Sequence, residues 1–445
     1  MKKPLLYRLL TVFVLLFLFI PASSKAYSVL THEALIDASW NKSIKPLLKL
    51  KFPGATDEEL KQAHAYAYGG CLLPDMGYFP FGSLYFTYLA HYARSGDFVE
   101  NLLSESHNIN EYAFALGALC HYMADKYGHS IGTNHTVPVV YPKVAEKFGP
   151  VATYDDDRTA HMRVELSFDV LETAKGNYAP EAYHDFIGFE VAKPVLERAF
   201  IKTYGQDIND VFGDLDLAIS TYRWSVKNLM PTVTHAAWRL RKDEILKTNP
   251  SANARSFHYK MKRKAYIKEF GSSRRKPKPG ERIWAFIIRI LPKVGPLKAL
   301  TFKDPGPKGE EFFVRSFDTV LTHYSTALTV LHNGKLDLKD VDYDTGKPSA
   351  IGEYKLADKT YAELLENLDK AKFNNLTVPL KQSILDFYGK GDSTMLAQKY
   401  PKDWKKTYTC LQEMRNAKTI IPDSIKTSKG LNYKLIEASS KVARQ

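Results

Sequence analysis

Cysteine is scarce in this chain, which has 3 cysteines among 445 residues. So few cysteines exclude the disulfide framework that holds many small secreted domains together. Cys71 and Cys120 either pair in an oxidising compartment or remain as two buried thiols. Long apolar runs are also lacking, because no stretch after residue 26 reaches about 18 uninterrupted apolar residues. The body of the chain is therefore predicted to be soluble, or peripheral on a membrane, rather than membrane-spanning.

The first 26 residues have the pattern of a signal peptide. Three basic side chains among the first eight residues precede a largely apolar run over residues 9–20, and small residues stand at positions 24 and 26. The apolar run is shorter than the roughly 20 residues that a membrane-spanning helix needs. The pattern predicts cleavage after Ala26, a mature chain that begins at Tyr27, and export to the periplasm or the medium.

The charge of the chain is unevenly distributed. The formal net charge is +13, yet residues 27–230 contain 17 basic and 26 acidic side chains. The basic excess lies further on, where residues 239–298 contain 18 Lys or Arg against four Asp or Glu. Within that stretch residues 283–291 are apolar except for Arg289, which is typical of either a short interfacial helix or an ordinary core helix. We expect residues 239–298 to bind a phospholipid membrane surface, with nucleic acid as the alternative partner.

Apolar residues recur at intervals near 3.6 along most of the chain, which predicts an all-α fold. Breaks rich in Gly, Pro and Asn separate the helices, and Thr56 followed by Glu59 fits a capping box at the start of one of them. The predicted division of the chain is 1–26 for the signal peptide, 27–235 for a catalytic domain, 236–310 for a basic, membrane-associating segment and 311–445 for a helical C-terminal region.

Metal-binding side chains occur in a dense series in the acidic half. In the stretch HYMADKYGHS, His121, Asp125 and His129 follow one another at steps of four residues. Such a step advances a helix by about 400°, so His121 and Asp125 should share one face, as should His161 and Glu165. The whole series comprises His32, Asp75, His91, His121, Asp125, His129, His161 and Glu165, together with the amine that cleavage would create at Tyr27.

These donors indicate a cluster of metal ions. A single zinc takes about four ligands, so the eight side chains exceed the need of one ion. Histidine and carboxylate donors without thiolate fit zinc best, while manganese and iron remain compatible with the same ligand types. The remaining histidines of this part of the chain lack such companions, and we interpret them as surface or core residues: His64, His107, His135, His184 and His235.

The ordered set His32, Asp75, His91, HYMAD with His129, and HMRVE resembles the bacterial zinc-dependent phospholipase C family, whose relatives include the S1/P1 nucleases. The resemblance covers residues 27–200 and implies a multi-helix domain with three zinc ions. The first zinc would bind Asp75, His91, His121 and Asp125, the second His129, His161 and Glu165, and the third His32, Asp125 and the amine and carbonyl of Tyr27. By the same resemblance Asp75 is also the catalytic base. The gap between Asp125 and His129 is shorter than the family often has, which makes His135 an alternative ligand.

The resemblance implies an exported, zinc-dependent hydrolase of phosphodiesters. Glu165 as the last donor is similar to the phospholipases, which cleave phospholipids to diacylglycerol and a phosphorylated head group. The spacing from Tyr27 to His32 is similar to the nucleases that act on single-stranded nucleic acid. We expect phospholipase C activity, with the nuclease as the alternative. A non-catalytic role, with zinc only stabilising a binding protein, is disfavoured because structural zinc sites are closed whereas this donor set leaves open positions.

Overall fold

The computed structural model describes residues 29–178, 187–248, 250 and 301–436. Within these residues the chain forms helices joined by loops, with isolated β-bridges and no β-strand. The predicted all-α fold is therefore confirmed. The predicted signal peptide, Tyr27, His184 and the part of the basic segment at residues 251–300 lie outside the described residues.

The α-helices up to residue 224 carry all the predicted metal-binding side chains except Asp75 and His129, which lie on shorter helical turns. They are α1 (Val29–Ser39), α2 (Lys45–Lys51), α3 (Asp57–Cys71), α4 (Leu84–Tyr92), α5 (Ser95–Ser104), α6 (Ile109–Tyr127), α7 (Asn134–Val140), α8 (Pro142–Phe148), α9 (Arg158–Lys175), α10 (Lys193–Tyr204), α11 (Ile208–Val211) and α12 (Leu215–Trp224). Shorter helical turns lie between them: the π turns Trp40–Ile44 and Gly128–Thr133 and the 3-10 helix Leu73–Tyr78.

The helices of the remaining described residues form a second series. After the π turn Ser225–Leu229 come α13 (Met230–Thr248), α14 (Gly306–Asn333), α15 (Lys355–Lys370), α16 (Val378–Lys390), α17 (Thr394–Lys399) and α18 (Pro401–Asn416), followed by the 3-10 helices Pro422–Ser424 and Tyr433–Leu435. The connection between α14 and α15, residues 334–354, contains no helix and is called the 334–354 loop below.

The start of α3 is fixed by the predicted capping box. The Thr56 hydroxyl accepts a hydrogen bond from the Glu59 backbone N–H at 3.2 Å, and the Glu59 carboxylate accepts one from the Thr56 N–H at 2.8 Å. Two of the backbone donors that every helix start exposes are thereby satisfied. Three acidic residues in the first turn also stabilise the N-terminal end of the helix, because their negative charge complements the helix dipole.

Helices α3 and α6 cross at very short distance because glycines face each other at the crossing. A Cβ atom at Gly117 would lie 2.1 Å from the carbonyl oxygen of Ala67, and one at Gly70 would lie 1.9 Å from that of Phe114. Only glycine leaves room for backbones this close. The crossing brings the C-terminal end of α3 against the part of α6 that carries the HYMAD motif.

The C-terminal helices pack on the N-terminal ones. A single hydrophobic cluster contains buried side chains from residues 29–226 and from residues 313–414. On α14 the Tyr324 hydroxyl donates a hydrogen bond to the carbonyl of Leu116 in α6 at 2.9 Å. The division into a catalytic domain and a C-terminal region stays a prediction, and in the described residues both regions contribute to one core.

Cys71, Cys120 and Cys410 are all buried free thiols, so of the two alternatives for Cys71 and Cys120 the structure has the unpaired one. Burial raises the pKa of the Cys71 thiol, which keeps it protonated and unreactive. Among the described helices, none combines the length and the apolar character needed to cross a bilayer.

Candidate metal centre

Helix α6 carries His121 and Asp125 on one face, as their spacing predicts. His121 Nε2 lies 3.0 Å from Asp125 Oδ2. Beyond Tyr127 the helix widens into the π turn Gly128–Thr133, which changes the direction of the side chains that follow. His129 therefore leaves the line of His121 and Asp125 and lies with His161 and Glu165 instead.

Asp125 lies at the centre of a first donor cluster, which consists of His32, Asp75, His91, His121 and Asp125. Its Oδ1 is 3.5 Å from His32 Nε2, and its Oδ2 is 3.5 Å from His91 Nε2. The His32 and His121 rings are stacked, with their centres 4.4 Å apart. Two sets of three residues each bring one ligand atom per residue within 4.8 Å of one another. One set is His32, His121 and Asp125, and the other is Asp75, His91 and His121. Either set has the dimensions of a metal-binding site.

Asp75 and His91 are held together by Thr87. The Thr87 hydroxyl donates to the Pro74 carbonyl at 2.8 Å and accepts from the Gly77 N–H at 3.0 Å. These bonds attach the 3-10 helix that carries Asp75 to α4, one turn before His91. Asp75 Oδ1 consequently lies 3.6 Å from His91 Nε2.

His32 reaches the first donor cluster from α1, whose N-terminal end is bound by Asp169 of α9. The Asp169 carboxylate accepts the backbone N–H groups of Leu30 and Thr31 at 3.0 and 3.1 Å, and the Thr31 hydroxyl at 2.8 Å. A carboxylate at a helix N-terminus satisfies exposed N–H groups and complements the helix dipole. Asp169 thus fixes the chain immediately before His32.

The second donor cluster consists of His129, His161 and Glu165. His161 and Glu165 are one turn apart on α9, and His161 Nε2 lies 2.7 Å from Glu165 Oε1. Glu165 Oε1 is also 3.6 Å from His129 Nε2. The three ligand atoms again lie within 4.8 Å of one another. The spacing of four predicted the shared face correctly for this pair too.

Three imidazoles are oriented in the same way, through their Nδ1 atoms. Nδ1 of His91 is 2.8 Å from the Thr87 carbonyl, Nδ1 of His121 is 2.8 Å from the Cys71 carbonyl, and Nδ1 of His129 is 2.9 Å from the Tyr343 carbonyl. A carbonyl only accepts, so each Nδ1 carries the proton. Each Nε2 is thereby left to act as a ligand, which is the usual arrangement of metal-binding histidine.

Burial and charge together set the ionisation of the first donor cluster. Burial alone would raise the pKa of Asp125, but the adjacent imidazoles, His121 foremost, hold that pKa well below its usual range. Burial lowers the pKa of His32 well below its usual value, and the nearby His121 adds to the effect. An ionised carboxylate and a neutral imidazole are the forms that bind metal.

In the second donor cluster, burial and nearby charges have opposite effects on the pKa of a histidine. Burial would lower the pKa of His129, but the carboxylates of Asp344 and Glu165 raise that pKa well above its usual value. Burial would raise the pKa of Asp344, and the hydrogen bond with His129 lowers it below its usual value. Two buried carboxylates thus lie on opposite sides of one buried imidazole.

The donor residues fit zinc in their burial, in their unsatisfied carboxylates and in their chemical type. His91, the most exposed donor, has 3% of its surface accessible. Among the described residues both carboxylate oxygens of Asp75, Asp125 and Glu165 are buried without a hydrogen bond of good geometry. Buried carboxylates in that condition are costly, and a divalent cation would compensate them. Imidazole and carboxylate are donors that zinc prefers.

Comparison with known protein families gives a match over residues 31–214, to the family model described as zinc dependent phospholipase C. Over these residues, which make up less than half of the chain, the protein is similar to the zinc-dependent phospholipase C family. The similarity supports a zinc-dependent hydrolase of phosphoric diesters. The matched segment contains all eight predicted donor side chains. Comparisons with curated proteins and with solved structures gave no match.

The structure therefore brings together all the predicted side chains that it describes. His135, the alternative to His129, instead packs on Phe312 with ring centres 5.4 Å apart. His64 is stacked on Trp40 and lies 3.1 Å from Asp37, which agrees with a core role. The ligand roles themselves, the number of ions and the contribution of Tyr27 stay predictions.

Two residues at the site were missed by sequence reasoning. Tyr343 and Asp344 belong to the 334–354 loop, and both contact His129. Tyr343 is 1% exposed, and its ring centre lies 5.3 Å from that of His91 and 5.8 Å from that of His121. Their local sequence, DYDTG, signals only a turn. Nothing in it points to residues more than two hundred positions earlier.

Proposed function

We propose that this chain is an exported phospholipase C-type enzyme that cleaves phospholipids to diacylglycerol and a phosphorylated head group. The observation that carries the proposal is the convergence of the two buried donor clusters inside the family-matched residues. Export is inferred from the signal-peptide pattern of residues 1–26.

The donor clusters would hold up to three zinc ions, as the resemblance implies. Asp75, His91, His121 and Asp125 would hold one ion, and His129, His161 and Glu165 another. His32 with Asp125 would hold a third if the new amine at Tyr27 completes that site. Zinc supplies a Lewis acid that polarises phosphoryl oxygens and lowers the pKa of water toward about 7.

The chain's own residues would then perform the remaining chemistry. Asp75 would accept a proton from the attacking water, because its buried carboxylate has no hydrogen bond among the described residues and faces the same space as His91. Asp125 would keep the three surrounding imidazoles in place through its charge. The carbonyls of Thr87 and Cys71 would keep two of those imidazoles in the tautomer that presents Nε2.

A phospholipid substrate agrees with the proposed membrane contact of residues 239–298. Each Lys or Arg near an anionic surface contributes about 1 kcal/mol to binding, and this stretch has 18 of them. The basic segment would thereby concentrate the enzyme at its substrate. Most of it lies outside the described residues, so this part of the proposal rests on composition.

The function can be tested by phosphorus-31 NMR of the zinc-loaded, processed chain with phospholipid vesicles and single-stranded RNA in the same tube. We expect new phosphomonoester signals from lipid head groups while the RNA stays intact. Nucleotide signals with intact lipid would overturn the phospholipase proposal in favour of the nuclease.

The assigned base has its own test. Asp75→Asn should abolish hydrolysis while folding is retained, and zinc content should be measured on the same sample. If the variant has normal zinc content and unchanged hydrolysis, Asp75 is not the base. Asp423→Asn, an exchange at a 3-10 helix far along the chain, serves as the matched control.

A further inference from the structure

The 334–354 loop passes directly behind His129. The Tyr343 carbonyl accepts the Nδ1 proton of His129 at 2.9 Å, and Asp344 Oδ1 lies 3.3 Å from the same nitrogen. Both partners face the side of the ring opposite to Nε2, which faces Glu165. Asp344 therefore contacts the imidazole at Nδ1, the nitrogen that would not bind metal, and is not itself one of the donors.

Two tyrosines hold the Asp344 carboxylate in this position, and a third residue holds its backbone. It is 1% exposed, and its Oδ2 accepts hydrogen bonds from the hydroxyls of Tyr92, at 2.9 Å, and Tyr354. The backbone carbonyl of Asp344 accepts from the Asn134 side-chain amide at 2.6 Å. A carboxylate fixed on several sides loses little freedom when it orients another group.

We propose that Asp344 is a positioning residue for zinc bound by His129, His161 and Glu165. It would fix the tautomer and ring orientation of His129 and increase the basicity of its Nε2, as carboxylates behind metal-bound histidines do. The inference rests on the metal-dependent function proposed above. It adds a group from outside the family-matched residues 31–214.

The same loop also contacts the first donor cluster. The Tyr343 backbone N–H donates to the His91 carbonyl at 3.1 Å, so consecutive residues of the loop touch an imidazole-bearing residue of each cluster. Asp344 is nevertheless specific to the second cluster, because His129 is the donor residue that its side chain approaches.

The test is zinc binding by the full processed chain, measured by competition with a chromogenic chelator and by metal analysis. Asp344→Asn keeps the shape of the side chain and removes its charge, whereas Asp344→Ala removes the contact. We expect affinity at one zinc site to fall about 10- to 100-fold, more for Ala than for Asn. Unchanged affinity at every site in both variants would overturn the proposal.

A merely structural role for Asp344 has to be separated from positioning. Tyr354→Phe removes one hydrogen bond to Asp344 without changing its charge or its contact with His129. Asp358→Asn changes another largely buried carboxylate, 8% exposed, that binds the Gly352 N–H instead. Asp358→Asn should bind zinc like the wild type, and Tyr354→Phe should weaken zinc binding less than Asp344→Asn does, because the Tyr92 hydroxyl still holds the carboxylate. If either variant weakens zinc binding as much as Asp344→Asn does, Asp344 only supports the loop and the proposal is wrong.

Zinc binding and hydrolysis are read separately in this design. Wild-type chain that binds zinc and cleaves no phospholipid would contradict the proposed function alone. Normal zinc binding by both Asp344 variants, with hydrolysis present in the wild type, would contradict the positioning role alone.

Discussion

The first and second donor clusters are oriented by different parts of the chain. In the first, the imidazoles of His91 and His121 donate to the carbonyls of Thr87 and Cys71, which lie within the family-matched residues. In the second, His129 donates to the carbonyl of Tyr343, with Asp344 beside it, far beyond that segment. The family-matched segment thus supplies every donor side chain, but the groups that orient one of them come from the C-terminal loop.

The largest effect should come from the centre of the first donor cluster. Asp125 lies within 3.0 to 3.5 Å of three imidazoles, so Asp125→Ala should remove zinc from this cluster and leave the second one loaded. Loss of several kcal/mol of transition-state stabilisation predicts a decrease of about a thousandfold in kcat/KM. Metal analysis and a lipid hydrolysis assay measure both. Full zinc content with near wild-type kcat/KM would refute the central place of Asp125.

Metal removal should produce the next largest effect, on stability. Chelation leaves the buried carboxylates of both clusters without a counter-ion, whereas zinc at about a thousand times its Kd stabilises the fold by about 4 kcal/mol per site. Calorimetry with and without a chelator should therefore show a clear decrease in Tm. In Asp344→Asn the zinc-dependent increase should be smaller, because its second cluster binds more weakly. Equal Tm with and without zinc would contradict the metal-binding assignment.

A backbone change at the α3–α6 crossing should weaken the first cluster and spare the second, which is the reverse of the effect of Asp344→Asn. Gly117→Ala places a Cβ atom 2.1 Å from the Ala67 carbonyl, so α3 and α6 must move apart. We expect a loss of about 1–3 kcal/mol in the free energy of unfolding, and weaker zinc binding in the first cluster only, since His121 is oriented by the end of α3.

Gly389→Ala is the matched control for that change. Gly389 also lies in a helix, α16, but a Cβ atom there meets no heavy atom within 4 Å. The exchange should be neutral or stabilise by up to about 1 kcal/mol. Urea unfolding measures both variants, and equal effects would show that the α3–α6 crossing is not as tight as described.

The smallest effect concerns the C-terminal region away from both clusters. Burial raises the pKa of Asp358 to about 6, so the folded state holds a proton that the unfolded chain releases at lower pH. Stability should therefore fall as pH rises from about 4 to about 6, and Asp358→Asn should remove this loss. At about pH 7 the variant should be more stable by about 1–2 kcal/mol, and near pH 4 it should equal the wild type. A variant less stable at both pH values would refute the assignment.

Local pattern was enough to predict the two donor pairs spaced by four, because residues on one helix share a face by geometry alone. The capping box of α3 was also predictable from local sequence, because it needs only a Thr at the N-cap and a Glu three residues later. Grouping His32, Asp75 and His91 around Asp125 needed the family resemblance, since their proximity depends on helix packing. The role of Asp344 could not be predicted, because its contact with His129 joins residues 215 positions apart and its local sequence indicates only a turn.

The dependence of hydrolysis on zinc is measured by titrating zinc into the metal-free processed chain and following diacylglycerol release from phosphatidylcholine vesicles. We expect no release without zinc, and release that rises with zinc until the donor clusters are filled. Release that is equal in chelator and in zinc, or absent from the fully loaded chain, would contradict a zinc-dependent phospholipase activity.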